Sequence, residues 1–123
     1  MIDFGKFLQS LKFAWHGIRL LIEREQSFRI QVLVTVAVTV LAFVLGVSRA
    51  EAAVLVVVTG SVLVLELLNS AVERLVDLFK PRIHEYAEEV KDIMAGAVLM
   101  GSIGAAVVGV IVFWPHLAAL YRH

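Results

Sequence analysis

The chain first sets Phe4, Phe7, Leu8, Leu11, Trp15, Ile18 and Ile22 at intervals of three and four, with Gln9, Lys12, His16, Arg19 and Glu23 forming a second, polar stripe. This pattern predicts an amphipathic helix within residues 1–29, because a 3.6-residue period brings such positions onto one face. The apolar face is suited to lie on a bilayer surface or to pack against the chain's own apolar segments, and either role keeps it at an interface. The pattern then changes. Residues 30–47 and residues 93–114 contain no Asp, Glu, Lys or Arg, and each run is close to the length that ~30 Å of hydrocarbon demands of a helix. Residues 52–72 are equally apolar apart from Glu66 and Asn69, which predicts a third span carrying a carboxylate. The first apolar block begins about thirty residues in, behind a helical pattern, so no cleaved signal peptide is expected.

Composition agrees with a membrane class. Of 123 residues, 60% are hydrophobic and 18% charged, more apolar side chain than a soluble domain of this size can hide. Eleven Lys and Arg balance eleven Asp and Glu, so no bulk attraction to nucleic acid is expected. With no cysteine, disulfide scaffolds, thiolate zinc sites and thiol nucleophiles are excluded. The predicted fold is all-α, one membrane-embedded domain over residues 1–123 with three transmembrane helices and an N-terminal surface helix.

The basic residues orient it. Lys6, Lys12, Arg19, Arg24 and Arg29 precede the first span, and Arg74, Lys80, Arg82 and Lys91 lie in the link over residues 73–92, whereas the short link between the first two spans holds Arg49 and the C-terminal tail Arg122. The positive-inside rule then puts the N-terminus and the 73–92 link in the cytoplasm, and the C-terminus outside. That link should continue the second span as a helix until Pro81 interrupts it. Its acids Glu85, Glu88, Glu89 and Asp92 read as a solvated helix face. Small residues at Ala97, Gly101, Ala105 and Gly109 would let another helix approach closely, within the chain or between copies.

An ionisable side chain inside a span costs a few kcal/mol, so Glu66 is a candidate functional group facing the protein interior. At about 100° per residue, Asn69, Glu73 and Asp77 share a polar stripe with Glu66, and Glu73 lies about 10 Å further along the axis. The stripe would run from lipid to cytoplasmic water. A carboxylate held within the span suits a general base; the alternative is a protonated Glu66 paired with Asn69 as a packing contact. Glu25 follows the amphipathic helix, and Glu25 with Glu73 could offer hard oxygen ligands to Mg2+; each taken singly is more often a solvated surface residue. Gly96 to Gly101 continues with Ser102 and Ile103 where a P-loop requires lysine. His16, His84, His116 and His123 are too scattered for a metal cluster and read as surface or interfacial residues.

The segment Glu66-Leu67-Leu68-Asn69-Ser70-Ala71-Val72-Glu73-Arg74-Leu75-Val76-Asp77 closely resembles the signature of the prokaryotic diacylglycerol kinase and undecaprenol kinase family of small integral-membrane lipid kinases. Further matches are Ala14-Trp15-His16-Gly17-Ile18, Glu25 through Phe28-Arg29, His84, and Lys91-Asp92 followed by Ala95-Gly96-Ala97-Val98-Leu99. Order and spacing hold over nearly the whole chain.

The resemblance implies a homotrimer in the bacterial inner membrane, with sites between subunits, that transfers the γ-phosphoryl group of ATP to the primary hydroxyl of diacylglycerol or undecaprenol. It would make Glu66 the general base and Asn69 its neighbour in the catalytic pocket. Glu25 and Glu73 would hold the Mg2+ that bridges the ATP phosphates; Arg82, His84, Lys91 and Asp92 would line the nucleotide site, with Asp77 supporting it. Lys6, Glu66 and Ala95 would meet the lipid. Phosphoryl transfer is mainly positioning and charge neutralisation and does not require a soluble kinase fold. Some residues depart from the pattern. Lys6 stands where the diacylglycerol branch has arginine and lacks its bidentate fork; Phe13 replaces a tyrosine; Glu88 and Glu89 stand where relatives often have a basic residue. The Ser48-Arg49-Ala50-Glu51 link looks like the undecaprenol kinase branch. Two other classes use the same features: a small proton-coupled transporter built on the intramembrane carboxylate, and a noncatalytic membrane subunit in which Glu66 and Asn69 fix helix pairing.

Overall fold

The computed structural model describes residues 1–122, so His123 lies outside the described residues. Four helices follow one another: α1 over Phe4–Arg24, α2 over Gln26–Leu45, α3 over Arg49–Phe79 and α4 over His84–Tyr121. The last three are long and apolar enough to cross a membrane.

Each boundary has a local cause. Asp3 caps α1 by accepting from the amides of Gly5 at 2.9 Å and Lys6 at 3.3 Å. Glu25 alone separates α1 from α2. It is extended, at φ −113° and ψ 112°, and the Arg29 guanidinium satisfies the carbonyls that α1 leaves open at Ile22 and Glu23, at 3.2 and 3.1 Å. Residues 26–29, assigned above to the amphipathic segment, therefore belong to the first spanning helix. Phe28 and Leu21, 3% and 6% exposed, are buried near this junction.

Gly46 ends α2 in the left-handed conformation at φ 64°, and Val47 N–H returns to the Ala42 carbonyl at 3.2 Å, the pairing that closes a helix on glycine. Ser48 and Glu51 then form a reciprocal capping box at the start of α3, with bonds of 3.1 and 3.0 Å. At about 1.5 Å per residue, α3 is roughly 46 Å long, so its last turns project beyond ~30 Å of hydrocarbon. It runs unbroken to Phe79, as expected ahead of Pro81.

After the turn at Pro81, α4 starts at His84 and carries Lys91 and Asp92 on a helix, together with the acids read as a helix face. The helix of the third apolar run continues past Trp114, through Pro115 to Tyr121. A proline lacks the amide that a helix interior uses, but membrane helices tolerate it where neighbouring groups accommodate the freed carbonyl.

The most extensive pairing is α3 against α4. It is tight at Gly101, where a Cβ would lie 2.5 Å from Leu65 Cδ1, so at this residue the small-residue stripe serves packing within the chain. A small apolar core of Leu55, Val112 and Phe113, flanked by Val38, Leu41 and Val108, joins α2, α3 and α4 toward the other end. Four hydroxyls along the spans are satisfied by their own helices: Thr35, Thr39, Thr59 and Ser61 each donate to the carbonyl four residues back, at 2.7–2.8 Å. The apolar residues Phe4, Phe7, Leu8, Leu11 and Trp15 of α1 are all exposed, so the chain's own spans do not cover this stripe.

Candidate functional site

Glu66 lies in the middle of α3 and is buried, 8% exposed, although it is ionisable and within a span. One turn on, Ser70 is 4% exposed. Its hydroxyl donates to Glu25 Oε1 at 3.3 Å and accepts from Arg74 Nη1. Arg74, a further turn along, also donates to the Ser70 carbonyl at 3.4 Å and places Nη2 3.5 Å from Glu25 Oε1. The single extended residue between α1 and α2 is thereby tied to the polar face of α3. Through Ser70 and Arg74, Glu25 is held against the stretch of α3 that carries Glu66 and Glu73.

Asn69 is half-buried, and its Oδ1 is a buried acceptor without a hydrogen-bond partner. No hydrogen bond joins it to Glu66 among the described residues, so the pairing considered as a packing contact is not formed. An orphaned acceptor of this kind costs about 1–3 kcal/mol, and a donor arriving from a bound molecule would satisfy it.

Toward the end of α3, Lys91 Nζ of α4 lies 2.6 Å from Asp77 Oδ1. Both groups lie outside the segments read as spanning. The hydrogen bond from Lys91 holds the Asp77 carboxyl below its ordinary range, and its counterpart raises the Lys91 ammonium. The charges of Glu73 and Glu88 raise Lys91 further.

The other predicted residues are not gathered in. Arg82 lies in the turn before α4, His84 opens that helix and Asp92 follows Lys91 along it, all three exposed; among the described residues, their side chains make no hydrogen bond or ion pair. Lys6, in the first turn of α1, and Ala95 are exposed as well. Sequence reasoning overlooked Ser70 and Arg74 as members of the site, although both follow Glu66 at four-residue steps. It also missed a pair at the opposite end of α3, where His116 Nε2 lies 3.2 and 3.3 Å from the two Glu51 carboxylate oxygens. His116 is thus a partly buried partner in a contact between α3 and α4.

The described residues hold no cluster of three side chains suited to a metal. Two carboxylates still fit Mg2+, which commonly takes one or two from the protein and leaves its other positions to water and phosphate oxygens. Glu73 makes no hydrogen bond or ion pair among the described residues, and Glu25 has only the Ser70 and Arg74 contacts described above.

The architecture is that of a helical membrane protein whose polar groups collect where its longest helices leave the apolar zone. The sequence pattern of the prokaryotic diacylglycerol kinase family matches residues 12–113, and the chain belongs to that family of membrane lipid kinases. It is 39% identical over 114 residues to a diacylglycerol kinase of Synechocystis, an alignment covering 92% of this chain and 65% of that relative. To an undecaprenol kinase of Bacillus subtilis it is 30% identical over 115 residues, 94% of each chain. A diacylglycerol kinase of Escherichia coli is 29% identical over 113 residues, 92% of this chain and 93% of the relative. These likenesses lend no support to the transporter alternative.

Proposed function

We propose that this chain transfers the γ-phosphoryl group of ATP to the primary hydroxyl of a long-chain membrane lipid, at the level where α3 emerges from the bilayer. The observation that carries the reading is the fastening of Glu25, through Ser70 and Arg74, to the stretch of α3 that holds the buried Glu66 and Glu73. The depth difference along α3 suits a lipid alcohol at Glu66 and a water-soluble nucleotide beyond Glu73. Glu66 accepts the hydroxyl proton as the lipid oxygen bonds to the γ-phosphorus. The bond from that phosphorus to the bridging oxygen breaks, ADP leaves, and the proton remains on Glu66. Asn69, three residues from Glu66 and with an unpartnered Oδ1, is its neighbour in the catalytic pocket.

Glu25 and Glu73 would hold Mg2+, which when bound supplies positive charge to the phosphates. Lys91, oriented by Asp77 at 2.6 Å, adds a fixed positive charge to the nucleotide side, with Arg82, His84 and Asp92 around it. Lys6 and Ala95 are assigned to the lipid side. Among the relatives, both diacylglycerol and undecaprenol kinases are named, and the shared substrate chemistry is a primary alcohol on a long apolar tail. The basic residues of α1 and of the α3–α4 turn favour a cytoplasmic N-terminus in a bacterial inner membrane, and the exposed apolar surface supports a homotrimer.

Purified protein in mixed micelles, given Mg2+ and labelled ATP with a panel of lipid alcohols, is expected to label diacylglycerol or undecaprenol. Glu66→Gln should lower turnover by about 10²–10⁴-fold while leaving the assembled mass unchanged. No labelled product from any membrane alcohol would overturn the proposal.

A further inference from the structure

Arg74 is the basic side chain that touches the carboxylate cluster among the described residues, and the reaction outlined above leaves it without a role. The ammonium of Lys91 is already taken by Asp77 at 2.6 Å. Arg74 instead reaches back one turn to Ser70 and across to Glu25 Oε1 at 3.5 Å. That same carboxylate oxygen accepts from the buried Ser70 hydroxyl at 3.3 Å. Glu25 is thus fastened to α3 by one neutral and one cationic donor.

We propose that Arg74 is a positioning residue, the internal counter-ion of the carboxylate cluster: it holds Glu25 beside α3 while no divalent cation is present and yields that oxygen when one binds. The inference rests on the reading that Glu25 and Glu73 hold the metal. Three features suit Arg74 to the part. Its side chain is 42% exposed, so it can swing into water, and an ion pair open to solvent is weak enough to exchange. Its guanidinium does not lose its proton, so it opposes an incoming cation at every working pH. Ser70 keeps its own bond to Glu25, so the carboxylate stays at the cluster after Arg74 has left.

A consequence follows that a purely structural arginine would not produce. Removing the charge should tighten divalent binding, because a +1 charge several Å from a +2 ion repels it even in water, enough for roughly five- to twentyfold in affinity. The test is titration of Mn2+ into nucleotide-free full-length protein in detergent micelles, with free ion followed by electron paramagnetic resonance. Arg74→Gln should bind Mn2+ about five- to twentyfold more tightly than the parent. Arg74→Lys, which restores the charge, should stay within about twofold. In a Glu25→Gln background, Arg74→Gln should give no comparable gain. In lipid phosphorylation, Arg74→Gln should reach half-maximal rate at lower Mg2+, with a smaller change in kcat. Unchanged or weaker Mn2+ binding by Arg74→Gln overturns the inference, as does a parent that phosphorylates lipid yet binds no Mn2+. Failure of the parent to phosphorylate any lipid alcohol is a separate result, and it is the one that overturns the functional reading.

Discussion

Lys91 and Asp77 join α4 to α3 outside the spanning segments, and the signs of their shifts define when the clasp acts. Asp77 titrates below its ordinary 3.8, so its contribution is complete above that value and is lost as pH falls through the depressed one. Lys91 titrates above its ordinary 10.5, so its contribution is complete below that value and is lost as pH rises through the raised one. The stability difference between the parent and Asp77→Asn should therefore stay constant from about pH 5 to pH 9 and shrink in strong acid. Thermal unfolding in micelles across that range checks it, and a difference that grows or vanishes near neutrality would contradict the assignment. At the same scale, the α3 stripe was legible because spacing along one helix fixes the relative directions of Glu66, Asn69, Glu73 and Asp77. Glu25 was less so, since its approach to Ser70 depends on how α1 and α2 meet α3; its chemistry suggested a metal ligand, but spacing alone could not bring it to α3. Arg74 lay on the legible face but was counted only as a positive charge.

Among the elements, the α3–α4 pair shows what the sequence could state and what it could not. Small residues every four positions announced a close helix contact, but left open whether the neighbour was α3 or another copy. Leu65 against Gly101 answers for that one position. Gly101→Val should destabilise the helix pair by about 1–3 kcal/mol through overpacking, and Leu65→Ala in the same chain should recover part of the loss by vacating the space. Reversible unfolding in micelles would measure both, and additive losses would show that Leu65 is not what Gly101 accommodates. The two helix limits that departed from expectation have separate causes. The break at Glu25 comes from one extended residue flanked by Arg29 capping bonds, with no Gly or Pro to announce it. The passage of α4 through Pro115 reverses the usual reading of proline as a terminator, a rule calibrated on helices whose freed carbonyls face water.

For the whole molecule, the surface is the decisive quantity. The chain exposes 9544 Å², whereas a compact soluble monomer of 13.6 kDa would expose roughly 6,600 Å². Large apolar side chains such as Leu33, Phe43, Val56, Leu68, Met100 and Ile111 account for much of what is open. A bilayer can cover such faces, but it gives no hydrogen bond to the buried Asn69 Oδ1 and cannot complete a polar site around Glu66. Further copies of the chain could do both, which is the physical argument for the proposed homotrimer. If it is right, light scattering corrected for detergent should give three chains per particle, and dilution into excess micelles should reduce lipid phosphorylation as the particles dissociate. Mixing the Glu66→Gln and Glu25→Gln variants with each other adds a sharper criterion. Sites built between subunits allow two differently damaged chains to regain some activity together, whereas sites contained within one chain do not. Monomeric particles with undiminished turnover would establish that lipid alone covers the open faces and that each chain carries its whole site.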